Sequence, residues 1–517
     1  MFRRTAIALL LPLFAACAGG EAGPCVRCTA EGPPEYIVVG SGAGGGPLAA
    51  RLARAGRRVL LLEAGDDVGG RLQYQVPAMH ALSTEDAEHA WWFWVKHHTD
   101  EAVDAADSKH TADGILYPRG SALGGSTAVN AMVTVLPPPA DWNRLAELTF
   151  DRGFRASAMT PYFDRVREWL SIELPDPRLA LGDPQVTGFL TAAATTFEGA
   201  GLGGTGATTA NVASLLQGDV NQTLKSGEAS GLYRLPLATR DGKRNGTREQ
   251  LLATVAEGYP LTLVTGAFVT RVLWAQGAET PTAIGVEYVK KGKVYEASLK
   301  PEAAPPERLH ALASREVILS AGVFNTPQLL MLSGIGERAQ LEQHGIAPVA
   351  EVPGVGKNLQ DRYEAPVVYD LGEPVDVLRG CRLGEADDPC LTAWHDGRGV
   401  YRTPGFLASL LFKATAGSPL ADVQAFAVPS DARGYYPGYS RDSAAAKQRF
   451  TWLLLKAHTK NRDGDVRLAG ASPFTRPSIH FHSFDEQSPL GDPDLAALVD
   501  GVKLVRQVQR SLRDVVA

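Results

Sequence analysis

The chain is poor in sulfur. It has 517 residues but only five cysteines and five methionines. Cys25 and Cys28 form a single C-x-x-C, and residue 29 is threonine, so the c-type haem attachment pattern fails. Without a second ligand pair, the same motif gives no support for a zinc site. No block of like charge, low-complexity tract or repeat of solenoid or propeller period occurs. A net charge of −6 gives no reason to expect nucleic acid as a partner. The apolar run near the start, residues 5–16, is too short to span a bilayer. Apolar content of 44% and charged content of 21% are those of an ordinary globular protein. At this length one hydrophobic core is rarely enough, so two domains are expected.

The first residues read as an export signal. Arg3 and Arg4 make a positive n-region, an apolar stretch follows, and small residues surround Cys17. The run Leu13-Phe14-Ala15-Ala16-Cys17 resembles a bacterial lipoprotein box, with Phe14 where leucine is usual. The expected product is exported, either periplasmic or membrane-anchored through lipid on Cys17. The paired arginines also suit twin-arginine export of a folded protein. In an oxidising compartment Cys25 with Cys28, and Cys381 with Cys390, are expected to form local disulfides.

Residues 1–17 are thus the signal and 18–34 a linker. Glu35-Tyr36-Ile37-Val38-Val39 then reads as a strand buried on both faces. It ends in Gly40-Ser41-Gly42-Ala43-Gly44-Gly45. A helical pattern follows, with Leu48, Ala49, Leu52 and Ala53 on one face, and then a second strand, residues 58–62, ending at Glu63. This is the dinucleotide-binding arrangement. Gly40 permits the tight turn, Gly42 the approach of backbone N–H groups to a pyrophosphate, and Gly45 the packing of helix on strand. The helix N-terminus stabilises phosphate charge. Glu63 is placed to accept hydrogen bonds from ribose hydroxyls. These features alone do not separate FAD from NAD.

Further motifs do. Tyr117-Pro118-Arg119-Gly120-Ser121-Ala122-Leu123-Gly124-Gly125-Ser126-Thr127-Ala128-Val129-Asn130 resembles the first signature of the glucose–methanol–choline (GMC) oxidoreductases. Residues 322–336, with Thr326-Pro327-Gln328-Leu329-Leu330 and Ser333-Gly334-Ile335-Gly336, resemble the second, although Val323 stands where a small residue is usual. Thr160-Pro161-Tyr162-Phe163, Gly285-Val286-Glu287-Tyr288 and Pro353-Gly354-Val355-Gly356-Lys357-Asn358-Leu359-Gln360-Asp361 fall in family order between and beyond. The resemblance runs from about Glu35 onward.

It implies FAD as cofactor, a small-molecule alcohol as substrate and hydride transfer from the substrate carbon. It implies an α/β fold, with a Rossmann-like FAD-binding domain (35–135 and 254–361) interleaved with an α+β substrate domain on a mixed sheet (136–253 and 362–517). By resemblance, Arg119 and the segment holding Ala122, Gly124, Gly125, Ser126, Asn130, Ala131, Met132 and Val133 line the flavin. The backbone of Val269 meets the adenine side. Physically, Gly124-Gly125-Ser126 lacks bulk and can lie flat against a planar ring, with N–H groups free to donate.

Strands are expected at residues 261–264, 268–273, 317–320, 423–428, 450–456 and 464–468. Thr326-Pro327 begins a helix. Asp494 to Val516 reads as an amphipathic helix, with Leu495, Leu498, Val499, Val502, Val505 and Leu512 at helical spacing. Residues 199–213 read as exposed loops. Trp91, Trp92, Phe93 and Trp94 are the densest aromatic cluster, either lining a substrate entrance or simply packed.

The family's catalytic base is a histidine in a C-terminal segment, paired with a second histidine or asparagine. The chain stops at Ala517 without a stretch that resembles it. His480 and His482 are expected on one face of a strand, and His458, His89, His97 and His98 offer no better match. Arg362 replaces the histidine usual after Asn-Leu-x-Asp. No catalytic base is assigned. The sequence therefore leaves open a flavin-binding remnant, or an enzyme completed by a separately encoded C-terminal piece, with an unidentified electron acceptor. The chain alone is expected to fold poorly or to bind FAD weakly.

Overall fold

The computed structural model describes residues 32–200, 212, 216, 218–226, 230–302, 307–415, 418 and 420–516. The export segment with Cys17, the Cys25–Cys28 motif and most of the 199–213 stretch lie outside them.

Four short strands form a parallel sheet in the order Leu261–Val264, Val59–Leu62, Tyr36–Val39, Glu316–Leu319. Val39 is level with Leu62 and with Leu319, and Leu62 with Val264, so all four strands end together. Side chains alternate between the two faces. Val38, Val59, Leu61 and Leu261 pack on Ala49, Ala50 and Ala53 of the helix Gly45–Arg54, and on Leu251 of the helix Thr247–Ala256. Ile37, Val39, Leu60 and Leu62 pack the other way, on Val286, Tyr288 and Ala311 and on Leu329 of the helix Asn325–Leu332. Val286, Tyr288 and Ala311 belong to a three-stranded antiparallel sheet, Phe268–Trp274, Ala283–Val289 and Arg308–Leu312. Full burial of each such aliphatic side chain stabilises the fold by about 1.5–3 kcal/mol, which is why the β-branched run at 36–39 commits to the centre of the sheet.

One detail of the first helix differs from its sequence pattern. The buried stripe is Gly45, Gly46, Ala49, Ala50 and Ala53, while Leu48 is 39% exposed. A Cβ on Gly46 would lie 2.9 Å from Thr247 Cβ. The first helix therefore meets the helix Thr247–Ala256 through its own smallest residues, and the larger Leu48 is turned outward.

The second large sheet runs Tyr363–Asp370, Arg449–Lys456, Val423–Val428, Ala408–Phe412, Gly231–Tyr233. The runs expected at 423–428 and 450–456 are both in it. It is antiparallel at every junction rather than mixed. The consecutive strands Ala408–Phe412, Val423–Val428 and Arg449–Lys456 lie side by side, which antiparallel pairing allows without a crossover, and the helices Pro184–Gly199 and Pro493–Val516 cover one face of the sheet. Phe189, Phe197, Leu498, Val505 and Val508 pack on Phe412, Phe450, Trp452 and Leu454. Asp492 caps the last helix, accepting from the N–H of Asp494 and of Leu495. Val499, expected on its apolar face, is 44% exposed, and the Leu512 side chain lies outside the description. A disulfide joins Cys381 and Cys390 beside Trp394, Val400 and Tyr401.

Candidate functional site

A cavity of about 300 Å³ opens at the carboxyl ends of the parallel strands, between Tyr36–Val39 and Glu316–Leu319. This is where the strand order reverses, the place where open α/β sheets bind ligands. Its floor is the first glycine turn. Gly40 has φ +96°, and a Cβ there would sit 2.3 Å from the Ser320 carbonyl oxygen. A Cβ on Gly125 would approach Gly42 Cα to 2.8 Å, so the two glycine turns touch. This cradle, without bulk and at a helix N-terminus, fits a pyrophosphate. The residues present therefore suit FAD. Gly45 stays out of the wall. A Cβ there would lie 2.0 Å from the Gly40 carbonyl oxygen and 3.1 Å from Val38 Cγ1.

Glu63 lines the cavity and is 5% exposed. Its Oε2 accepts from the Ser41 N–H (2.9 Å) and the Ser41 hydroxyl (2.5 Å), and its Oε1 from the Gly65 N–H (2.9 Å). Burial raises its pKa above the ordinary glutamate value, and these hydrogen bonds only partly oppose the rise. The Ser41 hydroxyl also accepts from the Gly124 N–H at 2.8 Å. One buried oxygen thus ties the first glycine turn to the second. Nothing in the sequence pattern marks Ser41, because any small residue suits that position of the motif.

Gly125, Ser126, Arg119 and the strand residue Val269 also line the cavity. Val269 pairs with Tyr288 across the ladder. Ala122, Gly124, Asn130, Ala131, Met132 and Val133 are not in the wall. Ala122 bridges to Asp66, the Met132 carbonyl accepts from the Ala238 N–H, and Val133 bridges to Leu237. After Ser126 the chain leaves the cavity and joins the strand Leu237–Arg240.

Residues 244–249, which carry none of the motifs named above, clamp these loops. Arg244 donates through Nη1 to Thr127 O (3.0 Å), Asn130 O (2.7 Å) and Asn130 Oδ1 (2.8 Å), and through Nε to Tyr74 O (3.0 Å). The Thr247 hydroxyl donates to Ser41 O (3.0 Å), and Arg248 forks onto Asp67. Glu249 accepts from the Gly246 N–H at 2.8 Å. A glycine followed three residues later by glutamate is a helix-start pattern, and it was the available signal.

The aromatic run splits by strand periodicity. Trp91 lines the cavity and meets Phe268 and Tyr295 edge-on, Phe93 is fully buried beside it, and Trp92 and Trp94 share the opposite face. Arg119 lies over Tyr117 at 4.5 Å and Phe324 at 5.2 Å. The Tyr117 hydroxyl donates to Asp361.

Among the described residues no histidine lines the cavity. His482 lies past the end of the strand Ser478–His480 with φ +47°, so the expected shared strand face does not form, although the two rings are 5.2 Å apart. Burial lowers the pKa of His480. His458 pairs with Asp141 at 2.9 Å, which raises its pKa. His89 is buried against Asp86 (2.9 Å). The N–H groups of His97 and His98 bind Asp104. Arg362 pairs with Glu364 at 3.5 Å. Among the described residues there is no metal-binding cluster, and no helix is long and apolar enough to cross a membrane.

Comparison with known proteins agrees with this geometry. Residues 35–364 match the family described as GMC oxidoreductase. A mitochondrial choline dehydrogenase of Mus musculus is 33% identical, covering 92% of this chain and 74% of that protein. An alcohol dehydrogenase (acceptor) of Pseudomonas putida is 28% identical, covering 92% of this chain and 78% of its own length. Among solved structures, a formate oxidase superposes with a TM-score of 0.71 at 19% identity, over 93% of this chain and 82% of that one. A fungal aryl-alcohol oxidase gives 0.64 at 17%, over 93% and 84%. At such identities the last two likenesses concern the fold.

Proposed function

The chain belongs to the GMC oxidoreductase family, with FAD as its cofactor, and from that premise we propose that it oxidises the CH–OH group of a small-molecule alcohol. The observation that carries the reading is the contact of Gly42 with Gly125 beside a buried Glu63. Bound FAD supplies the hydride acceptor. The chain's own residues hold and orient it. The Gly42–Gly44 turn and the helix behind it stabilise diphosphate charge. Glu63 lines the cavity, and its carboxylate can accept from a ribose hydroxyl. Gly125 and Ser126 would face the flavin end, and Trp91 and Phe324, which line the same cavity, would keep water from it.

The test is anaerobic mixing of FAD-loaded protein with choline and a panel of primary and aromatic alcohols while flavin absorbance is followed. Bleaching by one of them is expected. A loaded protein that no alcohol bleaches would defeat the proposal. A second reading has one observation in its favour: no described histidine lines the cavity. In it, a separately encoded polypeptide supplies the proton acceptor, and bleaching appears only when that partner is added. An exported location, with a lipid tether on Cys17, is proposed alongside; the Cys381–Cys390 disulfide supports an oxidising compartment.

A further inference from the structure

Asn325 opens the helix Asn325–Leu332 and lines the cavity, partly exposed. The oxygen and nitrogen of a carboxamide are told apart by their partners, and here the partners form a chain. The Thr475 carbonyl can only accept, so the Gln328 atom 2.6 Å from it is the nitrogen, Nε2. Gln328 Oε1 is therefore an acceptor. It takes the Tyr295 hydroxyl at 2.9 Å and an Asn325 atom at 3.2 Å, which must be the nitrogen, Nδ2. The other Nδ2 hydrogen goes to the Tyr295 oxygen at 2.8 Å. Turning the Asn325 amide over would set its oxygen against Gln328 Oε1. Tyr295 and Gln328 are 0% and 4% exposed, and an acceptor left unpaired there destabilises the fold. The amide orientation is thus fixed from behind. Asn325 Oδ1 has no hydrogen-bond partner among the described residues, on a side chain that lines the cavity.

The same network ties Asn325 to an aromatic wall. The Tyr295 ring meets Trp91 at 5.0 Å and Phe268 at 5.1 Å, and both of those line the cavity. This wall adjoins the acid after the strand Val59–Leu62, where the Ala267 N–H donates to Glu63 O at 2.8 Å. With diphosphate on the first glycine turn, ribose at Glu63 and the isoalloxazine beside the second glycine turn, this end of the cavity is left for the adenine. Apolar walls with a few placed polar groups are what orient a ring in a pocket.

We infer that Asn325 is a specificity-determining residue, whose Oδ1 accepts from the exocyclic amino group of the FAD adenine. This rests on the placement of FAD proposed above. Adenine presents a donor at that position. Hypoxanthine presents a carbonyl oxygen instead, which would meet Asn325 Oδ1 acceptor to acceptor. Tyr295 and Gln328 act through Asn325, by holding its oxygen toward the cavity.

The experiment uses the full chain and two ligands, FAD and its deaminated analogue, in which hypoxanthine replaces adenine. Each is titrated by calorimetry into the parent, Asn325→Leu and Asn325→Ser, with folding checked by thermal melting. The parent is expected to bind FAD about tenfold more tightly than the analogue, the worth of one hydrogen bond made or refused. Asn325→Leu should weaken FAD and bring the two affinities within about threefold of each other. The ratio is the decisive readout, because a merely structural role for Asn325 would weaken both ligands alike. Equal affinities in the parent overturn the inference and leave the FAD placement standing. So does a variant that binds FAD more weakly but keeps the full parental ratio. Should Asn325→Leu fail to fold, Asn325→Ser, which is too short to reach the ring, decides by the same ratio. A parent that takes up neither ligand defeats the FAD placement itself, and the first titration reveals this before any variant is made.

Discussion

Glu63 is subject to two opposed requirements. Cofactor binding needs its carboxylate ionised, to accept from hydroxyl groups, whereas its burial favours the neutral acid. The signs follow from linkage. In the apoprotein the raised pKa contributes stability that is present below the ordinary value of 4.5 and lost as pH rises through the folded value. FAD affinity moves the other way, falling as pH drops through that same folded value. Calorimetric titration of FAD against pH should show this fall, and Glu63→Gln should abolish it. The variant should also bind FAD more weakly by about 1.5–3 kcal/mol, the worth of hydrogen bonds to a charged group. Gly125→Ala tests the touching turns. With φ +54° and a Cβ 2.8 Å from Gly42 Cα, the methyl group must push the turns apart. A loss of about 1–3 kcal/mol of stability is expected, with loss of flavin retention on gel filtration.

At the scale of elements, side-chain ties join segments that have no backbone pairing. His458, just past the strand Arg449–Lys456, holds Asp141 in the first turn of the helix Pro139–Thr149. Because the pair raises the histidine pKa, its contribution is full below the ordinary value of 6.5 and is lost as pH rises through the folded value. Both side chains are partly exposed, so the effect is small, about 0.3–0.5 kcal/mol. His458→Asn, which tolerates the local φ of +55°, should melt below the parent at pH 6 and with it at pH 9. The Cys381–Cys390 bridge closes a short loop around the Trp394 cluster. Replacing both cysteines by alanine should cost about 2–3 kcal/mol, read as a lower urea midpoint.

At the scale of the whole molecule, the cavity is built from parts far apart in sequence. Gly40–Gly44, Glu63, Trp91, Arg119, Val269 and Phe324 converge on it, so ligand binding should stabilise the body as a unit. FAD at 100 times its dissociation constant should raise unfolding stability by about 2.7 kcal/mol, visible as a higher melting temperature. A melting temperature insensitive to FAD would contradict the site. The first glycine turn, its strand and its acid were legible because they are local: strand, turn, helix and strand follow one another within thirty residues, and hydrophobic periodicity marks each. The clamp at 244–249 was not, because its partners, Ser41, Asp67, Thr127 and Asn130, lie 114 to 206 residues away and its residues are ordinary ones. Two strands of the second large sheet, 423–428 and 449–456, were legible from their apolar runs, but Gly231–Tyr233, Tyr363–Asp370 and Ala408–Phe412 were not, and neither was the antiparallel order, since strand direction depends on connections rather than composition.

Short-range physics was enough for part of this protein. Steric freedom at Gly40, the apolar run Ile37-Val38-Val39 and the helical pattern after the glycine turn follow from the chain itself, and they specify a dinucleotide cradle with an acid at its edge. Folding in three dimensions decided the remainder. It determined that Leu48 faces outward, that Ser41 bridges the two turns, that Asn130 is held by a buried arginine, and that no described histidine reaches the cavity. Those outcomes depend on which distant surfaces exclude water together, and a linear pattern carries no record of that.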